Sequence, residues 1–97
     1  MGTRTRLSDE QVTAFLNEHA GWARRGDALA RTYTFEDFGA ALGFAVRVGV
    51  AAERRDHHPD LAVGYGKVEV VWTTHDAGGV TALDVEMAER TDRLAGA

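Results

Sequence analysis

TFEDFGAALGFAVRVGVAAERRDHHP, residues 34–59, is the stretch that decides the fold. Phe35, Phe38, Leu42, Ala45, Gly49 and Ala52 recur at spacings of three and four, while Glu36, Asp37, Arg47 and Arg54 fall mostly elsewhere. That is the period of an amphipathic helix. Thr34 can cap it with Asp37 at the third position, so the pattern predicts a helix from about 34 to about 57. His58 stands before Pro59, the one proline of the chain, and a residue before proline is pushed out of helical conformation.

On the C-terminal side, residues 67–75 read as a strand. Val68, Val70, Trp72 and Thr74 alternate with Lys67, Glu69, Val71, Thr73 and His75. Gly78-Gly79 break the chain, and Thr81 with Asp84 forms a cap-like pair opening a last helix that buries Leu83, Met87 and Leu94. On the N-terminal side, Ser8 and Gln11 form a capping box for a helix burying Val12, Phe15 and Leu16. Residues 22–25 and 29–34 flank a Gly26-Asp27 turn signal and read as a hairpin. The order helix, two strands, helix, strand, helix predicts one α+β domain over 1–97, with helices packed on one face of a small antiparallel sheet. Three or four strands leave sheet edges open, and pairing between protomers would cover them, so a homo-oligomer is expected.

The 97 residues are 44% apolar and 27% charged, an ordinary globular composition. Eleven basic residues against fifteen acidic ones give a net charge of −4, which argues against nucleic acid as the main partner. Arg24-Arg25 and Arg54-Arg55 are too small and scattered to make a basic patch. The absence of cysteine excludes disulfides, thiolate metal sites and cysteine nucleophiles. Residues 1–8 carry Arg4 and Arg6 with no apolar stretch behind them, so no secretory signal is expected. The most apolar stretch, 44–52, is interrupted by Arg47 and too short for a bilayer. No membrane partner is expected, and the expected location is the cytoplasm.

Four histidines carry most of the chemical potential: His19, His57, His58 and His75. His57 and His58 lie at the predicted helix end and His75 at the predicted strand end, with Glu53 one helical turn before His57 and Asp84 at the start of the last helix. Histidine titrates near neutrality, so two imidazoles facing one pocket can serve as acid and base, and a neighbouring carboxylate can fix a tautomer. Each residue also has a plainer reading. His57 can meet the carbonyl end of its helix. Asp84 can be a cap, Glu53 a solvated partner of Arg54 or Lys67, His19 a surface residue, and Trp22 and Trp72 core. Three histidines and two carboxylates could in principle bind zinc, but adjacent His57 and His58 diverge and no His-Glu-x-x-His motif is present, so no metal is expected. Gly64-Tyr65-Gly66 precedes a strand and lacks the third glycine of a phosphate loop, and Ser8, the only serine, lies in no nucleophile elbow.

Glu53, three intervening residues, His57-His58-Pro59, Tyr65 six residues on, Thr74-His75-Asp76, Gly78-Gly79 and Asp84 together form a compound pattern. With Gly21-Trp22 earlier in the chain, it resembles the pterin-4a-carbinolamine dehydratases along the whole length. The resemblance implies an α+β fold with a four-stranded antiparallel sheet and helices on one side. It also implies dehydration of 4a-hydroxytetrahydropterin (4a-hydroxytetrahydrobiopterin) to quinonoid dihydropterin, recycling the pterin after aromatic amino acid hydroxylation, with no metal and no cofactor, pterin being the substrate. By motif position it makes His57 and His75 the acid–base pair. His58 becomes a pterin-binding or polarising group, Glu53 and Asp84 orienting groups, and Trp22 a neighbour of the pterin site. It implies a homodimer or homotetramer, and an aromatic amino acid hydroxylase in the same pathway. Leu61 departs from the pattern, since many members carry Trp there. The alternative within the family is a non-catalytic binding, assembly or transcription-partner module. Such domains often lack the histidine set, which this chain retains.

Overall fold

The computed structural model describes residues 4–96; the first three residues of the 1–8 stretch, and the last of the 1–97 domain, lie outside it. The elements are α1 (Asp9–Glu18), β1 (Ala23–Arg25), β2 (Ala28–Thr34), α2 (Phe38–Arg55), β3 (Asp60–Gly64), β4 (Lys67–Trp72), a single 3-10 turn at His75–Ala77, and α3 (Ala82–Leu94). The strands form one sheet in the order β1-β2-β4-β3, each neighbouring pair antiparallel. The fold is α+β, with the helices on one face of the open sheet.

Local chemistry explains most boundaries. Ser8 and Gln11 form the expected capping box of α1, which buries Val12 and Phe15 and half-buries Leu16. Gly26 sits at φ 57° in the β1–β2 turn and Gly66 at φ 70° in the β3–β4 turn, left-handed positions where a side chain costs about 1–2 kcal/mol. The expected buried face of β4, Val68, Val70 and Trp72, packs under the helices, with Thr74 buried just beyond the strand end.

Three sequence expectations are corrected. α2 starts at Phe38 rather than near 34, because Thr34 is held in the β2–β4 ladder opposite Lys67 and Asp37 caps Ala40 N–H at 2.8 Å. The helix stops at Arg55 rather than near 57. Asp56 turns left-handed (φ 51°), its N–H bonding Glu53 O and that of His57 bonding Ala52 O, which closes a Schellman motif. The buried face is Ala41, Phe44, Ala45, Val48, Ala51 and Ala52, whereas Phe38 and Leu42 face outward. α2 is apolar nearly all round, so periodicity alone could not choose the face; the sheet chose it. β3 went unread among the residues and appears as the second edge strand.

The core gathers Phe44, Leu29, Trp72, Leu83 and Met87, all essentially inaccessible. Burying each contributes roughly 1.5–3 kcal/mol. Asp92 of α3 fastens the other end of the sheet. It accepts from Arg31 Nη1 at 2.8 Å, from Trp22 Nε1 at 3.1 Å and from the Tyr33 hydroxyl.

Candidate active site

The left-handed turn at Asp56 sends the next two histidines in opposite directions: His57 is buried and His58 is exposed. His57 stacks on Trp72 of β4, ring centroids 5.7 Å apart. Its Nε2 lies 2.5 Å from Asp84 Oδ1. Asp84 is fully buried, and its Oδ2 accepts the Thr74 hydroxyl at 2.7 Å and Thr81 N–H at 2.8 Å. A carboxylate only accepts, so it sets the proton on Nε2 and leaves the Nδ1 lone pair of a neutral His57. The cap of α3 and the orientation of the imidazole thus use the same side chain.

His58 Nε2 pairs with Glu53 Oε1 at 2.7 Å. This corrects the expectation that Glu53 stands beside His57. The helix ends before 57, so Glu53 reaches the residue after the turn instead. His75 opens the 3-10 turn and is exposed, with no side-chain hydrogen bond among the described residues.

His57, His58 and His75 line one cavity of about 250 Å³ together with Arg4, Asp56, Thr73, Thr74 and Asp76. Asp84 and Glu53 stand behind it as partners of two of these histidines. The structure does not bring Trp22 into the group. Its indole is buried and donates to Asp92. His19 also lies apart, stacked on Phe15 at 4.1 Å and 3.3 Å from Glu89. Leu61 packs against the hydrophobic core. Among the described residues no three His, Asp or Glu side chains converge into a metal-binding cluster. Sequence reasoning passed over Arg4, Asp56, Thr73, Thr74 and Asp76 as lining residues. Thr74 carried a signal, since a hydroxyl on the buried face of a strand needs a partner. Arg4 carried none, because its contact is made across 52 positions of chain.

An open α+β sheet with three imidazoles gathered at the turns beyond one helix and one strand, two of them paired with carboxylates, is an arrangement capable of acid–base chemistry. The family model described as pterin 4 alpha carbinolamine dehydratase matches residues 5–94. A Bradyrhizobium sp. strain BTAi1 protein provisionally named a pterin-4-alpha-carbinolamine dehydratase is 51% identical over 92 residues, 93% of each chain. A similarly named protein of Thermomicrobium roseum is 44% identical over 90 residues, 93% of this chain and 97% of its own. The crystal structure of a transcriptional coactivator/pterin dehydratase from Brucella melitensis superposes with a TM-score of 0.90 at 35% identity, covering 95% of this chain and all of that one. A pterin dehydratase-like protein identified as a RuBisCO assembly factor in the alpha-carboxysome shares the fold, with a TM-score of 0.65 at 19% identity over 78% of this chain and 88% of its own. The chain belongs to the pterin-4-alpha-carbinolamine dehydratase family.

Proposed function

We propose that the chain dehydrates a 4a-hydroxytetrahydropterin to the quinonoid dihydropterin and water. The observation that carries this reading is the convergence of His57, His58 and His75 on one cavity, with Asp84 behind the first and Glu53 behind the second. The bond between ring carbon 4a and oxygen breaks as the oxygen takes a proton from one imidazole. The other imidazole takes the proton that leaves a pterin ring nitrogen. His57, with its Nε2 proton committed to Asp84, offers Nδ1 as the acceptor. His75, exposed and unpartnered among the described residues, exchanges protons with water and suits the donor. His58 binds or polarises the pterin, and Glu53 orients His58. Each placed acid or base contributes roughly 10²–10⁴-fold. The scheme requires no metal and no cofactor, pterin being the substrate. An aromatic amino acid hydroxylase in the cytoplasm would supply the 4a-hydroxypterin.

The test follows dehydration of hydroxylase-generated substrate by absorbance, against the spontaneous rate. The expected outcome is a rate well above baseline that falls by about 10²-fold in His57→Ala and in His75→Ala. A baseline rate from folded protein would overturn the enzyme reading. It would turn attention to the binding or assembly module.

We also propose that the chain works as a homo-oligomer. Phe38, Leu42, Val46 and Val50 form a stripe along α2 and stand 47%, 45%, 57% and 51% exposed. Four large apolar side chains in one line are more than a monomer ordinarily leaves to water. A second copy of α2 laid antiparallel about a two-fold axis sets Phe38 opposite Val50 and Leu42 opposite Val46. It also brings Glu36 and Asp37 near Arg54 of the other copy.

A further inference from the structure

The segment before α1 is strapped to the turn before α3. Arg6 bridges Thr81, and Leu7 N–H donates to Val80 O at 2.8 Å. Gly79 makes room for the strap, since a Cβ there would lie 3.1 Å from Arg6 Nε. These contacts carry Arg4 to the histidine cavity, which it lines. Its Nη2 donates to the backbone carbonyl of Asp56 at 3.1 Å, next to His57 and His58. Among the described residues Arg4 makes no ion pair. A guanidinium is charged at every working pH and presents several donors, of which this bond uses one.

The dehydration chemistry does not use that cation. A pterin ring is neutral, and the imidazoles and hydroxyls of the cavity can serve its edges. The other acidic groups at the cavity are Asp56 and Asp76, which line it, and Glu53 and Asp84, which pair with His58 and His57; these carboxylates repel an anion unless a cation offsets them. We propose, resting on the dehydratase reading, that Arg4 binds an anionic group on the pterin side chain, a phosphate or a carboxylate. The site thereby prefers charged-side-chain pterins over neutral ones. Arg4 is a specificity residue at the rim and takes no part in proton transfer. The preference follows from a charge-assisted hydrogen bond at an exposed position, so it weakens as salt rises.

The test measures binding of three 7,8-dihydropterins to the full chain by titration calorimetry at low salt. They carry a hydroxymethyl group, its phosphate ester, or a carboxyl group. The expected result is binding about tenfold tighter for at least one anionic form than for the neutral one. The phosphate and carboxylate arms show which anion the site takes. The preference should vanish in Arg4→Gln, survive in part in Arg4→Lys, and shrink with added salt. Equal affinity for all three forms in the unsubstituted chain, or a preference that persists in Arg4→Gln, overturns the proposal and leaves the dehydratase reading intact. No binding of any form together with a baseline dehydration rate overturns the dehydratase reading itself and this inference with it.

Discussion

Asp84 caps α3 through Oδ2 and holds His57 through Oδ1, so two duties meet on one buried side chain. Asp84→Asn would set an amide NH₂ against either Thr81 N–H or His57 Nε2. In the second case the His57 proton moves to Nδ1 and the acceptor is lost. We expect kcat to fall by about 10²-fold, and stability by about 1–3 kcal/mol, read by steady-state dehydration and urea denaturation. An unchanged kcat would contradict the role given to the pair. Tyr33 offers a second test. Burial is the first cause that raises its phenol, and the hydrogen bond to Asp92 and the charge of Asp92 add to it, while Arg31 opposes. A group raised on folding gives its stability in full below its unfolded value, about 10, and loses it as pH climbs past that point. The stability gap between the unsubstituted protein and Tyr33→Phe should therefore be constant near neutrality and narrow above about pH 10. Denaturation curves at the two pH values check this, and a gap that widens refutes it. At this scale the histidines and Asp84 were legible from their spacing. The partner of Glu53 was not, because one left-handed residue shifts the register from His57 to His58.

The end of α2 is where an element becomes a site. Asp56 at φ 51° carries a Cβ in the left-handed region, which costs about 1 kcal/mol relative to glycine. Asp56→Gly should keep or raise stability by up to about 1 kcal/mol, the gain partly offset by greater freedom of the unfolded chain. Asp56→Val should lose about 1–2 kcal/mol, since β-branched residues tolerate this conformation least. It should also lower activity, because the turn aims both histidines. Thermal unfolding and the dehydration assay measure the two effects, and a fully active Asp56→Val would show that the turn does not set the geometry. Helix existence was legible throughout, from the Ser8 and Thr81 caps and the apolar periods. The start and buried face of α2 were not. Thr34 satisfies a cap pattern and a strand position equally well, and only the β2–β4 ladder decides between them. β3 was passed over because Asp60–Gly64 is a short edge strand with mostly exposed residues and no clean alternation.

For the whole molecule, the open face of α2 predicts assembly. Sedimentation equilibrium should find a dimer or tetramer, and Leu42→Glu with Val46→Glu should release monomers by setting like charges across the two-fold axis. A monomeric unsubstituted chain would remove the oligomer proposal. The sequence by itself determined the α+β order apart from β3, the hairpin at Gly26-Asp27, the helix caps and the set of histidines and carboxylates. Those signals are local, carried by turn residues, capping side chains and periods of two and three to four. Tertiary structure alone decided which face of α2 is buried, that Trp22 serves the Asp92 cluster rather than the cavity, and that Arg4 reaches the lip beside Asp56. Each of those depends on contacts between residues tens of positions apart, and a contact of that kind leaves no period in the chain that could announce it.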